Sequence, residues 1–383
     1  MAPEASGPWS GKILGKYEIG PLVGRGGMAD VYRGRHTDLE RDVAVKLIHP
    51  HLTVREGFVD RFRREGISLA KLRHPHIVQV YDSGNNFDIY YLVMEYIDGP
   101  TLAELLKTLH DQGEAYALRE AVSLLLTLSG ALGYAHRENM VHRDVKPGNV
   151  IFTSRGQAIL TDFGLVKMVG STLNTVSGTV LGSPMYMSPE QGSGKPGDGR
   201  GDLYSLGVML FELVTGQPPF EGDTPFSIIM KQVNEPLPAA RSFNPSLPEI
   251  VDDVIAKATV KDPAGRYQSS DEFASGLQGI LVELDAQAAG AAVQTLPPAG
   301  PAPLPASAEA RISLDFLTGV LVQILGPVGS IMDWARIVRG MGEDSQAFPV
   351  GRIPEVLDRL TTQYRVSDAD KRTQIRRLVD QQL

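Results

Sequence analysis

The sequence predicts an α+β fold with two lobes and a cleft between them, followed by a linker and a small all-α domain. Three observations predict it. The hydrophobic period changes once, near Asp98, from short strand-like runs to helical spacing. Residues 285–310 form an Ala/Pro-rich stretch almost free of charge, which cannot bury a core and reads as a linker. Patterned sequence then resumes at Arg311 and continues to Leu383. At 383 residues the chain exceeds what one small core needs. Its lack of cysteine excludes disulfides, cysteine-ligated zinc, iron–sulfur clusters and thiol catalysis. A formal charge of −8 argues against a general nucleic-acid binder.

Residues 1–16 read as a flexible leader, with no basic run entering an apolar stretch as a secretory signal would need. Strands are expected at Tyr17–Val23, Asp30–His36, Asp42–Ile48 and Ile77–Gly84, with one helix at about 55–72. After Asp98 helices dominate, as at Leu118–Glu138.

Chemistry enters at the turn after the first of these strands. Gly24, Gly26 and Gly27 lie in VGRGGMADVY; such glycines allow backbone torsions that side chains forbid and let amides approach phosphate oxygens. Alone, a Gly-rich hairpin is usually just a turn. It is not a Walker loop, since no Gly-Lys-Ser/Thr follows, and it does not lead into a helix as a dinucleotide fingerprint does. Lys46 ends the alternating run DVAVK, where a polar position ordinarily faces water. The next helix changes that reading. Phe58, Phe62, Leu69 and Leu72 make one apolar stripe, and Glu65 falls on it. A carboxylate on a buried face needs a cation, because stranding it costs about 3–5 kcal/mol, and Lys46 is the economical partner.

The segments VHRDVKPGNVIF and AILTDFG carry the strongest local signal. Val150–Thr153 and Ala158–Thr161 read as strands joined by Ser154–Gln157, a register that sets Asn149 across from Asp162. An amide oxygen and a carboxylate together suit a hard cation such as Mg²⁺ that shares phosphate ligands. Asp144 lies one short loop upstream, where it could accept a proton from a hydroxyl.

This set of residues resembles the Hanks-type protein kinases, most closely the bacterial serine/threonine kinases, over Tyr17–Leu284 and in the expected order. The resemblance implies the bilobed kinase fold for residues 17–284, with a β-rich first lobe and an α-rich second. It implies a Gly-rich loop over ATP at Val23–Val31, with Ala29 standing where a third glycine often sits. Lys46 would hold the α/β-phosphates with Glu65 as its helix partner, and Val23, Val31, Ala44, Met94, Glu95 and Ile97 would surround the base, with Met94 as gatekeeper. Asp144 would orient the acceptor hydroxyl, Lys146 would reach the γ-phosphate, and Asn149 and Asp162 would hold Mg²⁺. MSPE (Met187–Glu190) stands where A-P-E usually does, with Asp202 as catalytic-loop anchor and Arg266 as partner of Glu190. Lys146 and the pair Gly182-Ser183 imply serine/threonine rather than tyrosine as acceptor.

Arg143 sets a cation beside the catalytic Asp144, and the hydroxyl-rich segment 169–181 offers Thr175, Ser177 and Thr179 as sites whose phosphate would pair with it. Self-activation of this kind implies transfer between copies of the chain, for which a homodimer is one arrangement. The expected partners are ATP and proteins carrying Ser or Thr, and no nucleic acid. A pseudokinase scaffold would normally lack Lys46, Asp144 or Asp162, and all three are here. A third reading makes residues 311–383 the partner-binding end, with the kinase as its regulator.

Residues 312–332 match a bilayer span in length. Asp315 and Gln323 fall inside it, Gly326-Pro327 would break it, and Arg336, Arg339 and Arg352 lie on the wrong flank for a cytoplasmic kinase. A helix pair turning at Gly326-Pro327 is therefore expected, with helices at 353–366 and 368–379, in a cytoplasmic protein; the alternative is membrane anchoring through 312–332.

Overall fold

The computed structural model of the protein describes residues 7–54, 57–86, 89–163, 184–195, 197–294, 311–313 and 347–349. They divide into two compact units, Met1–Ile151 with Ala158–Gly290, and Phe152–Gln157 with Ala291–Leu383.

The first unit opens with an antiparallel sheet of β1 (Ile13–Leu14), β2 (Tyr17–Arg25), β3 (Ala29–His36), β4 (Asp42–Ile48), β5 (Val80–Asn86) and β6 (Ile89–Glu95), in the order β1-β2-β3-β4-β6-β5. Alternation decides its two faces. Val43, Val45 and Leu47 of β4 join Tyr17, Ile19, Tyr32, Tyr91 and Val93 in one core cluster. Ala44 and Lys46 take the other face, yet Lys46 is only 6% exposed, so the solvated reading of this strand position fails. Burial comes from what packs over that face. After the short helix α1 (Pro50–Thr53), helix α2 (Phe58–Lys71) buries Phe58, Phe62, Glu65 and Leu69, the stripe expected from their spacing. The Phe58 and Phe62 rings each meet Tyr90 edge-on at 5.2 Å, which ties the helix to β6.

The leader is not loose throughout. Residues 7–14 are folded against the sheet: β1 pairs with β2, Trp9 packs on the core cluster, and a Cβ on Gly7 would lie 2.6 Å from the Tyr32 ring. A tryptophan that can bury its ring on an apolar face outweighs the Gly/Ser composition around it.

The helical part contains α3 (Leu102–Asp111), α4 (Leu118–Arg137), the hairpin β7 (Val150–Phe152) and β8 (Ala158–Leu160), α5 (Pro189–Gly192), α6 (Gly199–Thr215), α7 (Pro225–Asn234), α8 (Glu249–Ala258) and α9 (Ser270–Gln294). α6 is apolar on almost every side and is correspondingly buried. Asp198 caps its start by accepting from the Arg200 amide at 2.9 Å, and Gly216 at φ 78° closes its end, as a left-handed C-terminal residue does. α9 runs to Gln294, so the linker starts later than residue 285. The Ala-rich stretch from Ala286 favours helix, and the prolines that would break it begin only at Pro297.

In the C-terminal region the described residues are strands, β9 (Arg311–Ser313) and β10 (Ala347–Pro349), paired antiparallel with Ile312 opposite Phe348. Ile312 and Ser313 are thus extended where a helix was expected, as a β-branched residue beside a pairing strand allows. The other helices expected in 311–383, including any span at 312–332, lie outside the described residues. Among the described residues no helix is long and apolar enough to cross a membrane.

Candidate active site

The Gly-rich turn joins β2 to β3, with Gly24 opposite Val31 and the Gly26 amide bonded to the Ala29 carbonyl at 2.9 Å. None of Gly24, Gly26 and Gly27 takes a positive φ. The expectation of forbidden torsions is therefore not met. What these glycines provide is open backbone: a Cβ on Gly24 or Gly27 would meet nothing within 4 Å. Val31 is paired with Lys46, and Ala44 with the buried Met94, so all four lie along neighbouring rungs of one sheet. The Glu95 amide donates to the Gln79 carbonyl at 2.9 Å and is committed within the sheet. Val23 is exposed and Ile97 half-buried beyond the end of β6. Behind Met94 a small cleft is lined by Leu69, Val78, Leu92, Asp162 and Phe163.

Lys46 does not take the expected partner. Its ammonium lies 2.7 Å from Asp162, and not on Glu65, although Glu65 is buried on the helix face as expected. The stripe shows that Glu65 is buried but not which cation it meets. Asp162, which meets Lys46, has a left-handed backbone at φ 69°. Burial pushes the Asp162 carboxyl up, but the Lys46 ammonium, helped by His142 and Lys146, more than offsets this and holds it below the usual carboxylate range.

The hairpin register also differs from the expected one by a residue. The Thr161 amide bonds to the Asn149 carbonyl at 2.8 Å, so Asn149 faces Thr161 and not Asp162. Gly156 is the cause: at φ 77° it lets a three-residue loop close, with the Thr153 amide on the Gln157 carbonyl at 2.9 Å. β8 is fixed in turn by the segment after α2, through Leu160 N–H to His76 at 2.9 Å and Val78 N–H to Leu160 at 3.0 Å. Asp162 follows directly from that anchored strand.

Around Asp144 the geometry is dense. Lys146 Nζ donates to Asp144 Oδ2 at 2.7 Å, and Asn149 Nδ2 donates to the same oxygen at 3.1 Å and to the Asp144 carbonyl at 2.7 Å. Because Asn149 spends its amide hydrogens on Asp144, its oxygen is the atom left for a cation. The His142 ring reaches the Thr161 carbonyl through Nε2 at 2.8 Å and accepts the Asp144 amide on Nδ1 at 3.2 Å, which fixes the tautomer with hydrogen on Nε2.

Arg143 has φ 67°, a conformation that costs a non-glycine residue about 1–2 kcal/mol. Buried Asp202 holds it there, accepting from the amides of His142 at 2.9 Å and Arg143 at 2.8 Å, as its anchor role implied. His136 Nε2 adds a third bond to Asp202 at 2.8 Å. Sequence reasoning missed His136, and a signal was there: it stands four after Leu132 and eight after Leu128, a polar residue on the buried stripe of α4. The expected Glu190–Arg266 pair is formed and bidentate, at 2.9 and 2.7 Å, with the Arg266 side chain fully buried. Burial raises the Glu190 carboxyl, but Arg266 outweighs it and holds it below the usual range. Thr175, Ser177, Thr179 and Gly182-Ser183 lie outside the described residues.

Oxygen donors of this kind fit a hard divalent cation. Asp162 is kept ionised and Asn149 commits its amide nitrogen to Asp144 while its oxygen stays available as a donor, as suits a site that borrows its remaining ligands from phosphate and water.

Residues 17–275 match the family model described as the protein kinase domain. A probable serine/threonine-protein kinase of Streptomyces coelicolor is 44% identical over 286 residues, covering 73% of this chain and 42% of that protein. The serine/threonine-protein kinase PrkC of Bacillus subtilis is 40% identical over 267 residues, covering 70% of this chain and 41% of its own length. The chain thus spans about two fifths of the length of these curated relatives. The crystal structure of the PknI kinase domain of Mycobacterium tuberculosis matches with a TM-score of 0.57 and 30% identity, over 71% of this chain and 98% of that one.

Proposed function

The chain belongs to the protein kinase family, as a bacterial Hanks-type member, and we propose that it is an active serine/threonine kinase using Mg·ATP. One observation carries the proposal. Among the described residues both donors to the Asp144 carboxylate, Lys146 and Asn149, fall on Oδ2, so Oδ1 is the oxygen that can receive an acceptor hydroxyl. As the bond from that hydroxyl oxygen to the γ-phosphorus forms, the bond to the β,γ-bridging oxygen breaks and ADP leaves. The hydroxyl proton passes to Asp144. The transition state is loose, so positioning and charge compensation do most of the work. Lys146, already at Asp144, follows the transferring group. Lys46, held on the inner face of the sheet, compensates the α/β-phosphates. Asp162 and Asn149 would hold Mg²⁺, which supplies charge neutralisation at the phosphate oxygens.

In a labelled-ATP assay on a generic protein substrate, Asp144→Asn should lose nearly all turnover and still bind nucleotide, because Asp144 acts on the hydroxyl. Lys46→Met should lose turnover as well. Equal activity in Asp144→Asn would refute the proposal.

Regulation belongs to the same reading. Phosphate on Thr175, Ser177 or Thr179 would find the Arg143 guanidinium beside Asp144. Mass spectrometry of active protein should find phosphate within 171–179, and none when Asp144→Asn is purified alone. An unmodified segment in a fully active enzyme would remove the regulatory part. Dependence on ATP supports a cytoplasmic setting for the catalytic part, and transfer between copies would make a homodimer productive.

A further inference from the structure

We propose that Gln191 is a positioning residue for Asp144, acting through the carbonyl of Arg143. Gln191 Nε2 donates to the Arg143 carbonyl at 2.8 Å, while its Oε1 accepts from the Ser188 amide at 3.0 Å and the Ser188 hydroxyl at 2.8 Å. This orientation of the amide is the one that satisfies all three partners, since a carbonyl needs a donor and an N–H needs an acceptor.

The bond matters because of the peptide it holds. The Arg143 carbonyl and the Asp144 amide belong to one peptide plane. Its N–H end is tied to His142 Nδ1 at 3.2 Å and its oxygen end to Gln191. The residue before it is in the left-handed region, at φ 67°, where strain favours relaxation by turning this peptide. The Arg143 amide is held on its other side by Asp202. Asp202 therefore fixes the entry to Arg143, and Gln191 fixes the exit from it, which is the entry to Asp144. A rotation of that peptide would swing the Asp144 side chain off its line to the hydroxyl, and misplacement on the scale of 1 Å can cost large factors in rate. Gln191 also lies in the turn directly after MSPE, so the bond joins that turn to the catalytic loop.

The simpler reading is that Gln191 only caps the short helix α5 through Ser188. The two roles use opposite ends of one amide, and substitution can separate them. Gln191→Glu keeps an acceptor for Ser188 and removes the donor to Arg143. Gln191→Leu removes both and adds no charge. The role holds only if phosphoryl transfer runs through Asp144, as proposed above. Steady-state kinetics and thermal melts of the full chain should show kcat lowered roughly tenfold in both variants, with KM for ATP unchanged within about twofold. Melting temperature should fall in Gln191→Leu alone. Thus kcat follows the donor and stability follows the acceptor. Wild-type kcat in Gln191→Glu would overturn the inference, as would a fall in Gln191→Glu with wild-type kcat in Gln191→Leu, which would mark an effect of charge. Inactive wild-type protein would remove the kinase reading and this role with it.

Discussion

Replacing Arg266 by methionine should be among the most damaging single changes in the helical part. The guanidinium is fully buried and all three of its nitrogens are used. Besides its two bonds to Glu190, it donates to the carbonyls of Val260 at 2.7 Å, Lys261 at 3.0 Å and Arg200 at 3.2 Å. Methionine fills most of the volume but leaves Glu190 without its cation, and breaking a buried pair from one side costs about 3–5 kcal/mol. The three carbonyls add to this where water cannot reach them, so about 4 kcal/mol is a fair lower figure against a total stability of about 5–15 kcal/mol. For a domain of this size that corresponds to a fall of about 10 °C in melting temperature. Acid should narrow the gap. In the wild type the Glu190 carboxyl lies below its unfolded value of 4.5, so its contribution is present above that pH and is lost as pH falls through the folded value. In Arg266→Met burial loses its main counterweight, with only a backbone amide and the Ser188 hydroxyl left to oppose it, so the carboxyl rises and the variant gains stability as pH falls from 7.5 to 5.5. Arg266→Lys, with three donors on a point charge, should recover only part of the loss. Urea unfolding followed by circular dichroism at the two pH values measures both effects. A loss below about 1 kcal/mol, or a gap that widens in acid, would refute the reasoning.

Glu120 offers a second pH effect of opposite sign. Its Oε2 is buried without a hydrogen-bond partner among the described residues, and burial raises its carboxyl to about 8. A raised folded value gives stability that is present in full below the unfolded value and lost as pH rises through about 8. Glu120→Gln should therefore match wild type near pH 4.5 and exceed it by on the order of 2 kcal/mol at pH 8.5, with partial exposure allowed for; an equal difference at both pH values would remove burial as the cause. Gly199→Ala tests packing at the catalytic-loop anchor. In an ordinary helix this change gains about 0.5–1 kcal/mol, but here the new Cβ would lie 2.8 Å from the His136 ring. It should instead destabilise by about 1–2 kcal/mol and lower kcat by pushing His136 off Asp202; a more stable and fully active variant would show that the ring can yield.

What was legible in the sequence was mostly what is local along the chain. The stripe of α2, the bounds of α4 and the order of the catalytic segments all follow from spacing, and the structure has them within a few residues. Asp202 with the catalytic loop and Glu190 with Arg266 were readable only through the family resemblance, because their partners are about 60 and 76 residues away. Trp9 was missed because composition describes a segment on average, while one large ring decided where this one lies. The hairpin register differs by one residue because the left-handed Gly156 shortens the loop, which strand spacing does not reveal.

Lys46 marks where pattern stops being sufficient. Periodicity puts Glu65 on the buried face of α2, and motif order puts Asp162 after β8, but neither says which carboxylate the Lys46 ammonium meets. That depends on side-chain reach and backbone angle, and here Asp162 holds the ammonium at 2.7 Å. Asp162 is ionised with Lys46 beside it, so passing the lysine to phosphate and the carboxylate to a divalent cation requires movement of charges and no proton transfer. The exchange should therefore vary little with pH across the neutral range.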